Sequence, residues 1–480
     1  MKILLLIGQW VVFLGVPKAE GAISILMREF MTKNIQVLKN NSESEISKYN
    51  HLLIEEKRPW TLIYDYGHLN NALDSTSSTF NSQNLITNSH TLGIGREFTW
   101  GGAFNFENSY TKVDRSRYST AFLGASSPVV YEFSQSVGYS QTLGKNFFGR
   151  TDRAELKASE NLYQLNAAKL AAENEQELKK FYQNYLSAQL NNSLQRLQEQ
   201  AYGRAVARKK LIQKRVKDGI REKVDLLQAE YSEISQQEKL QISKKETQDS
   251  IQWVSNLLHR KLTLAEVLPL SYEVVDQNIL QSFEWKKNKA LHSVAQKVAY
   301  FSQSMKKNEF ALIPEITLST QYKTNRFHED AQVARKEGIL GNDADEIVLG
   351  LNLTWTIGQK LQKLEVAKDR VNFKVAQLEQ QKIEYNIGQT ESFLKSKISI
   401  LEENIKSVSE RKGIATKVLK EYTRLYQLGR ADLDQLIRAE ENLIATEVSH
   451  VNYLANREMI ISELASLYGV LEKYLINKKK

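Results

Sequence analysis

The residues able to do chemistry are few, and their spacing does not suit it. The seven histidines, His51, His68, His90, His259, His292, His328 and His450, fall far apart without the spacing a metal site needs. The chain has no cysteine, which excludes a disulfide framework, thiolate ligands, thiol catalysis and a lipidated N-terminal cysteine. No glycine-rich phosphate loop and no nucleophile beside an activating base is legible. Asp343, Asp345 and Glu346 come nearest to an acidic ion site, but they lack the spacing of a calcium loop and read as a solvated acidic loop. The expectation is a protein that is not an enzyme, with no cofactor and no metal, whose work lies in its shape.

The elements that set that shape are announced by an internal repeat. Residues 219–230, GIREKVDLLQAE, align without gaps on residues 429–440, GRADLDQLIRAE. Each copy breaks a long helical pattern at one glycine, Gly219 or Gly429, and resumes it at once; the register still holds where Leu257 meets Leu467. Glycine takes positive φ without steric cost, so each turn reads as a left-handed helix cap. A duplicated helical hairpin of this length is an architecture.

Composition agrees. Only 5 Pro and 22 Gly occur in 480 residues, as long uninterrupted elements require. The net charge of +9 is spread as Lys and Arg interleaved with Glu along the helices, the pattern of solvated helix faces and not of a nucleic-acid partner. Leu394, Ile398, Leu401, Ile405, Val408, Lys412, Ala415, Leu419, Tyr422 and Tyr426 repeat at four and three residues, with only Lys412 out of character. That 3.5-residue average marks helices supercoiled against neighbours. Leu186, Leu190, Leu194, Leu197 and Ala201 repeat it in the first copy. The longer runs extend to about 100 Å at 1.5 Å per residue.

The N-terminus carries a different signal. Lys2, an apolar run from Ile3 to Val16 and the small residues Ala19 and Gly21 read as a signal peptide over residues 1–21. No other stretch is apolar and long enough for a transmembrane helix, so any membrane crossing falls to strands. Ile347, Leu349, Leu351, Leu353, Trp355 and Ile357 alternate with small or polar residues, the pattern of a barrel strand with lipid on one side and water on the other. Its expected partner spans Ile316 to Thr324, across a long charged loop from Asn325 to Glu346. In the first half Trp60, Leu62, Tyr64 and Tyr66 alternate, as do Val129, Tyr131, Phe133, Val137, Tyr139 and Leu143. Between them, a three-residue turn at Gly101-Gly102-Ala103 would pair Trp100 with Phe104 and give two strands; one bent strand through the glycines is the alternative.

In order, the chain reads as a signal peptide (1–21), a first repeat (22–270) and a second (271–480). The first repeat holds an N-terminal helix, strands within 59–144 and a helical hairpin over 151–262. The second holds a linker and a helix over 286–312, strands within 315–358 and a hairpin over 360–475. This order, with its duplication, resembles the TolC-like outer-membrane efflux factors over nearly the whole mature chain. The resemblance implies a mainly α fold with β. It implies a homotrimer in which long antiparallel coiled-coil hairpins form an α-helical barrel through the periplasm, fused to a β-barrel shared between protomers in outer-membrane lipid. The implied function is an exit duct of a tripartite efflux or type I secretion system in a Gram-negative cell. Its partners would be a periplasmic adaptor and an inner-membrane pump or ABC transporter, and it would conduct substrates passively. Open sheet edges in lipid strand backbone groups at several kcal/mol each, so strands from one chain must be completed by copies. Six strands per chain would make eighteen in a trimer, against the twelve that the family implies.

The resemblance also nominates residues. Gly219 and Gly429 fall at hairpin tips that would dock on the adaptor. Tyr426 matches a position that helps hold a closed periplasmic aperture, and Asp225 matches an acidic position of the first turn. The family's aspartate rings fall here on Gln435 and Arg438, so they do not carry over; Asp432 and Asp434 are candidates to replace them, and Arg430 to pair with a neighbour. The competing reading is a secreted periplasmic or surface coiled-coil scaffold or adhesin without a channel. It is disfavoured by a sheet face so consistently built of Leu, Trp and Ile. Fractionation separates the two readings, because a scaffold leaves the membrane pellet in high salt and a duct needs detergent.

Overall fold

Two α-helices of equal length dominate the computed structural model, which describes residues 22–71, 85–115, 127–270, 288–340 and 345–477. The elements run α1 (Ala22–Lys33), α2 (Ile35–Glu55), β1 (Thr61–Asn71), β2 (Leu85–Glu97), β3 (Gly102–Asp114), β4 (Val129–Thr142), α3 (Arg150–Lys217) and α4 (Lys223–Leu258). There follow α5 (Lys289–Phe310), β5 (Glu315–His328), α6 (Ala331–Leu340), β6 (Asp345–Thr354), α7 (Lys360–Gln427), α8 (Leu433–Leu467) and α9 (Leu471–Asn477). The expected signal at 1–21, most of the expected linker and Asp343 lie outside the described residues. No described helix is long and apolar enough to cross a membrane.

Helices α3 and α7 have 68 residues each, about 100 Å at 1.5 Å per residue. They begin and end at positions related by the offset that relates Gly219 to Gly429. The duplication extends to the far ends of α4 and α8. His259, with φ 53°, and its counterpart Gly469, with φ 69°, both close their helices in the left-handed region. Arg260 N–H donates to Ser255 O, as Val470 N–H does to Ala465 O. The 3.5-residue stripe of α7 is its covered face: Leu394, Ile405, Val408 and Tyr426 are buried. Lys412, the odd member, reaches Glu447 of α8 at 3.7 Å.

The chain divides into two compact units. The first, Met1–Ser44, Ala168–His292 and Gln381–Lys480, holds the larger core. Met27 and Phe30 of α1 insert among Phe181 and Tyr185 of α3, Leu258 of α4, Leu394 of α7 and Leu464 of α8. Phe30 stacks on Phe181 with ring centroids 4.6 Å apart. A buried carboxylate, Glu458, accepts hydrogen bonds from Tyr182 (2.8 Å) and Tyr474 (2.5 Å), which satisfies a group that burial would otherwise penalise. Charged links join α3 to α4 through Lys209 and Glu233 (2.7 Å), and α3 to α8 through Lys179 and Glu463 (3.1 Å). Arg457 of α8 reaches Glu402 of α7 at 3.1 Å.

The second unit, Glu45–Ala167 and Ser293–Gln380, contains one six-stranded antiparallel sheet in the order β1-β2-β3-β4-β5-β6. The turn between β2 and β3 is real, so the single bent strand is excluded. Its register differs from the expected one: Phe104 faces Arg96 and Ala103 faces Glu97, while Trp100 sits in the turn. Phe98 stacks on Trp100 at 4.2 Å, which gives two aromatic residues a reason to occupy a turn. The expected N-terminal helix is two helices, joined at Asn34, whose side chain accepts from Gln36 N–H at 3.0 Å. The expected loop from Asn325 to Glu346 also resolves differently. Strand β5 continues to His328 because β4 pairs with it up to Tyr131, and α6 follows.

Arg260, just past the end of α4, ties that end to α1. Its guanidinium lies 2.9 Å from Glu29 and 2.7 Å from Glu266. Hydrogen bonds from Arg260, and then from the Thr263 backbone, hold the Glu266 carboxyl down to about 2, from an ordinary value of 4.5. A depressed carboxylate contributes stability above its unfolded value, and that contribution is lost as pH falls from about 4.5 through about 2. Glu266→Gln is therefore expected to flatten the acid sensitivity of residues 255–270 in that window, read by hydrogen exchange against pH. An unchanged profile would show that this contact does not couple to folding.

Candidate functional site

Both hairpin turns are built by the same local device. Gly219 (φ 69°) and Gly429 (φ 72°) take the left-handed conformation. Gly219 N–H donates to Val216 O (3.1 Å) and Ile220 N–H to Arg215 O (2.9 Å). In the second copy Gly429 N–H donates to Tyr426 O (3.2 Å) and Arg430 N–H to Leu425 O (2.8 Å). These paired bonds satisfy carbonyls that a helix end leaves open. The next helices start from Glu222 and Asp432, with φ −82° and −84°. In the second copy Asp432 N–H donates to the side chain of Gln435 (3.1 Å), half of a capping box. That local duty accounts for Gln435 where the first copy carries Asp225.

The two tips of one chain share a small core: Ile212 of α3, Ala229 of α4, Tyr426 of α7, Ala431 in the turn, and Leu433 and Leu436 of α8. Tyr426 is 1% exposed, and its hydroxyl has no hydrogen-bond partner among the described residues. Two guanidiniums lie against its ring, Arg221 at 4.8 Å and Arg215 at 5.5 Å from the centroid. Arg215 also donates to the Tyr426 carbonyl at 3.4 Å, and Arg221 lies 3.8 Å from Asp225. Burial pushes the Tyr426 phenol up; Arg221 opposes this and Asp225 adds to it, and the group stays protonated at neutral pH.

The structure thus brings Tyr426 and Asp225 together and leaves three other nominees apart. Arg430 is exposed and has no carboxylate within 4 Å among the described residues. Asp432 is exposed and caps α8. Asp434 pairs with Arg438 of its own helix at 2.8 Å, both more than half exposed, a contact worth about 0–1 kcal/mol. Two residues that sequence reasoning missed, Arg215 and Arg221, supply the charge around Tyr426. Arg221 had a signal, since it stands one helical turn before Asp225; Arg215 aligns with Leu425 and had none. Farther along α3, Arg208 is buried, ion-paired with Glu440 of α8 and bonded to Ser232 of α4 at 2.7 Å. The arrangement can hold the tips of two hairpins together through contacts that charge or displacement would release. None of these groups is set to make or break a bond.

No protein-family model matches the chain, and no curated protein sequence does. Solved structures do resemble it. The outer-membrane channel OprN matches at 12% identity and a TM-score of 0.63, over 94% of this chain and 90% of that one. The outer membrane protein VceC from Vibrio cholerae matches at 12% identity and 0.61, over 93% and 96%. The MtrE outer membrane channel from Neisseria gonorrhoeae, in its open state, matches at 12% identity and 0.61, over 97% and 95%. At these identities the likeness shows the fold: this chain has the fold of these outer-membrane channels over more than nine-tenths of its length.

The unpartnered Tyr426 hydroxyl sets an expectation for substitution. Tyr426→Phe removes a buried polar atom without leaving a hole and should keep or raise tip stability. Tyr426→Ala opens a cavity and should cost about 3–5 kcal/mol locally. Hydrogen exchange over residues 210–230 and 419–436 reads the difference, and equal protection in both variants would remove Tyr426 from the tip core.

Proposed function

We propose that the chain is one protomer of a homotrimeric exit duct in the outer membrane of a Gram-negative cell, extending into the periplasm. In this reading it conducts substrates passively once its hairpin tips, at Gly219 and Gly429, dock on a periplasmic adaptor supplied by an inner-membrane pump or ABC transporter. One observation carries the reading: the two faces of the sheet. Leu62, Ile94, Phe106, Val137, Tyr322 and Ile347 form a continuous apolar row across all six strands. The adjacent row of the other face is Ile63, Gly93, Glu107, Ser136, Lys323 and Glu346. A sheet with lipid on one side and water on the other has this composition. Aromatic rings stand at both ends of this face, as interfacial girdles do. Trp60, Phe98 and Trp100 lie at the end joined to the helices, and Tyr66, His90, Tyr110 and Tyr131 at the other.

Closure by copies is supported by what one chain leaves uncovered. Strands β1 and β6 are edges of the sheet. Helix α4 and the turn before it expose Ile220, Val224, Leu227, Tyr231 and Ile234 at four- and three-residue steps. Helix α7 exposes Leu364, Val371, Leu378 and Tyr385 at seven-residue steps. These are coiled-coil seams without a partner among the described residues, and a head-to-tail interface that closes forms a ring. With six strands from each protomer, a trimer has eighteen, a number that leaves an aqueous interior. Tyr426, Arg221 and Asp225 then act as the latch of the periplasmic aperture. Arg430, Asp432 and Asp434, exposed beside it, are the groups through which neighbouring protomers meet and passing ions are selected.

Planar-bilayer recording tests this. The detergent-extracted parent should insert as a trimer and conduct. Leu349→Arg, on the apolar face, should block insertion at a cost of about 2–4 kcal/mol per site, whereas Val348→Arg on the opposite face should insert and alter selectivity. Arg221→Ser with Asp225→Ala should raise single-channel conductance, and more than Tyr426→Phe with Arg430→Ser, which leaves an aromatic ring against Arg215 and Arg221. A parent that stays monomeric and leaves membranes in high salt would overturn the duct. Unchanged conductance in both double variants would put the constriction elsewhere.

A further inference from the structure

Helix α6 lies where a lipid-facing surface should be bare. It follows β5 at the end of the sheet remote from the long helices and packs on β4 and β5. Its side is fixed by two contacts. Gly338 sits so close to Phe133 that an added Cβ would lie 2.6 Å from the ring, and Arg326 Nε donates to Glu337 at 2.8 Å. Phe133 and Arg326 face each other across β4 and β5 in the row of the apolar face that includes Tyr66, His90 and Tyr110. Phe133 is only 5% exposed as a result, and Ala334 of α6 is fully buried.

The charges of α6 are divided between its two sides. Its acidic groups are engaged: the Asp330 carboxylate accepts from the N–H groups of Gln332 (2.7 Å) and Val333 (3.2 Å), and Glu337 holds Arg326. Arg335 and Lys336 point away from the sheet, exposed, with no carboxylate within 4 Å among the described residues, and Ile339 is 49% exposed beside them. An amphipathic helix at the level of an aromatic row, with exposed cations and an apolar neighbour outward, matches a layer where phosphate lies above acyl chains. We propose that α6 is a docking helix for phosphorylated lipid headgroups of the outward-facing leaflet, with Arg335 and Lys336 holding phosphate and Ile339 entering the acyl boundary. The proposal rests on the reading of this sheet face as lipid-facing.

The test uses the full chain, extracted in neutral detergent and reconstituted in phosphatidylcholine nanodiscs. Bisphosphorylated lipid A is the probe and dephosphorylated lipid A the control; retention is read by native mass spectrometry and by fluorescent-lipid competition. The parent should prefer the phosphorylated form at least tenfold. At about fivefold per cation, Arg335→Gln with Lys336→Gln should weaken binding roughly 25-fold, while Arg335→Lys with Lys336→Arg retains it. Both variants should conduct like the parent in planar bilayers, which shows that they fold. Equal retention of the two lipids by the parent, or parental retention by the Gln variant, overturns the docking role and leaves the duct intact. A parent that enters no bilayer overturns both.

Discussion

A strand at the rim of a sheet carries a row of backbone N–H and C=O groups, and β1 and β6 each leave one such row unpaired among the described residues. In water these groups would find solvent; in hydrocarbon each costs several kcal/mol. The apolar face of the same sheet makes water the wrong surroundings for it. In the proposed duct, with lipid on this face and unmet hydrogen bonds on its edges, the sheet is completed by closure with copies of itself. The long helices carry a parallel demand, with α4 and α7 each exposing an apolar seam. In that proposed assembly, strand edges and helix seams are met by the same partner, a copy of the chain.

Helices of this length are not stabilised by a globular core. Their burial is distributed along seams, with one concentrated core around Phe30, Phe181 and Leu258 and a small one at the tips around Tyr426. Polar cross-links such as Glu458 with its two tyrosines, or Arg208 with Glu440, lie between the helices, and their contacts form only in one register. Such groups add little net stability, because their desolvation offsets much of their attraction. They oppose sliding of one helix along another, a motion that a seam of Leu and Ala alone would resist weakly.

Much of the fold was legible because it is periodic. The duplication, the 3.5-residue stripe and the two-residue alternation of β6 each repeat a local rule many times, and the helices and strands follow them. What could not be read depends on contacts between distant segments. Trp100 suggests a strand by type, but stacking on Phe98 holds it in a turn. The segment after β5 is charged and looks like a loop, and only the proximity of Phe133 to Gly338 makes it a covered helix. At the tips the glycines were evident from φ requirements alone. The charge beside Tyr426 came from Arg215 and Arg221 in the other repeat copy, which no reading of the second copy could supply.

The equality of α3 and α7, 68 residues each, constrains how such a chain can change over generations. Deleting one residue from either helix would turn everything beyond it by about 100° and retract it by about 1.5 Å. The seam would then face solvent, and one tip would stop short of the other. Substitutions leave this geometry alone, so sequence can drift until little identity remains while length stays fixed. Lengthening or shortening is open only in steps close to seven residues, taken in both helices and in helices α4 and α8 that follow them. Relatives of this chain should therefore differ freely in composition along the rods and concentrate their insertions at the sheet's loops, where no register is at stake.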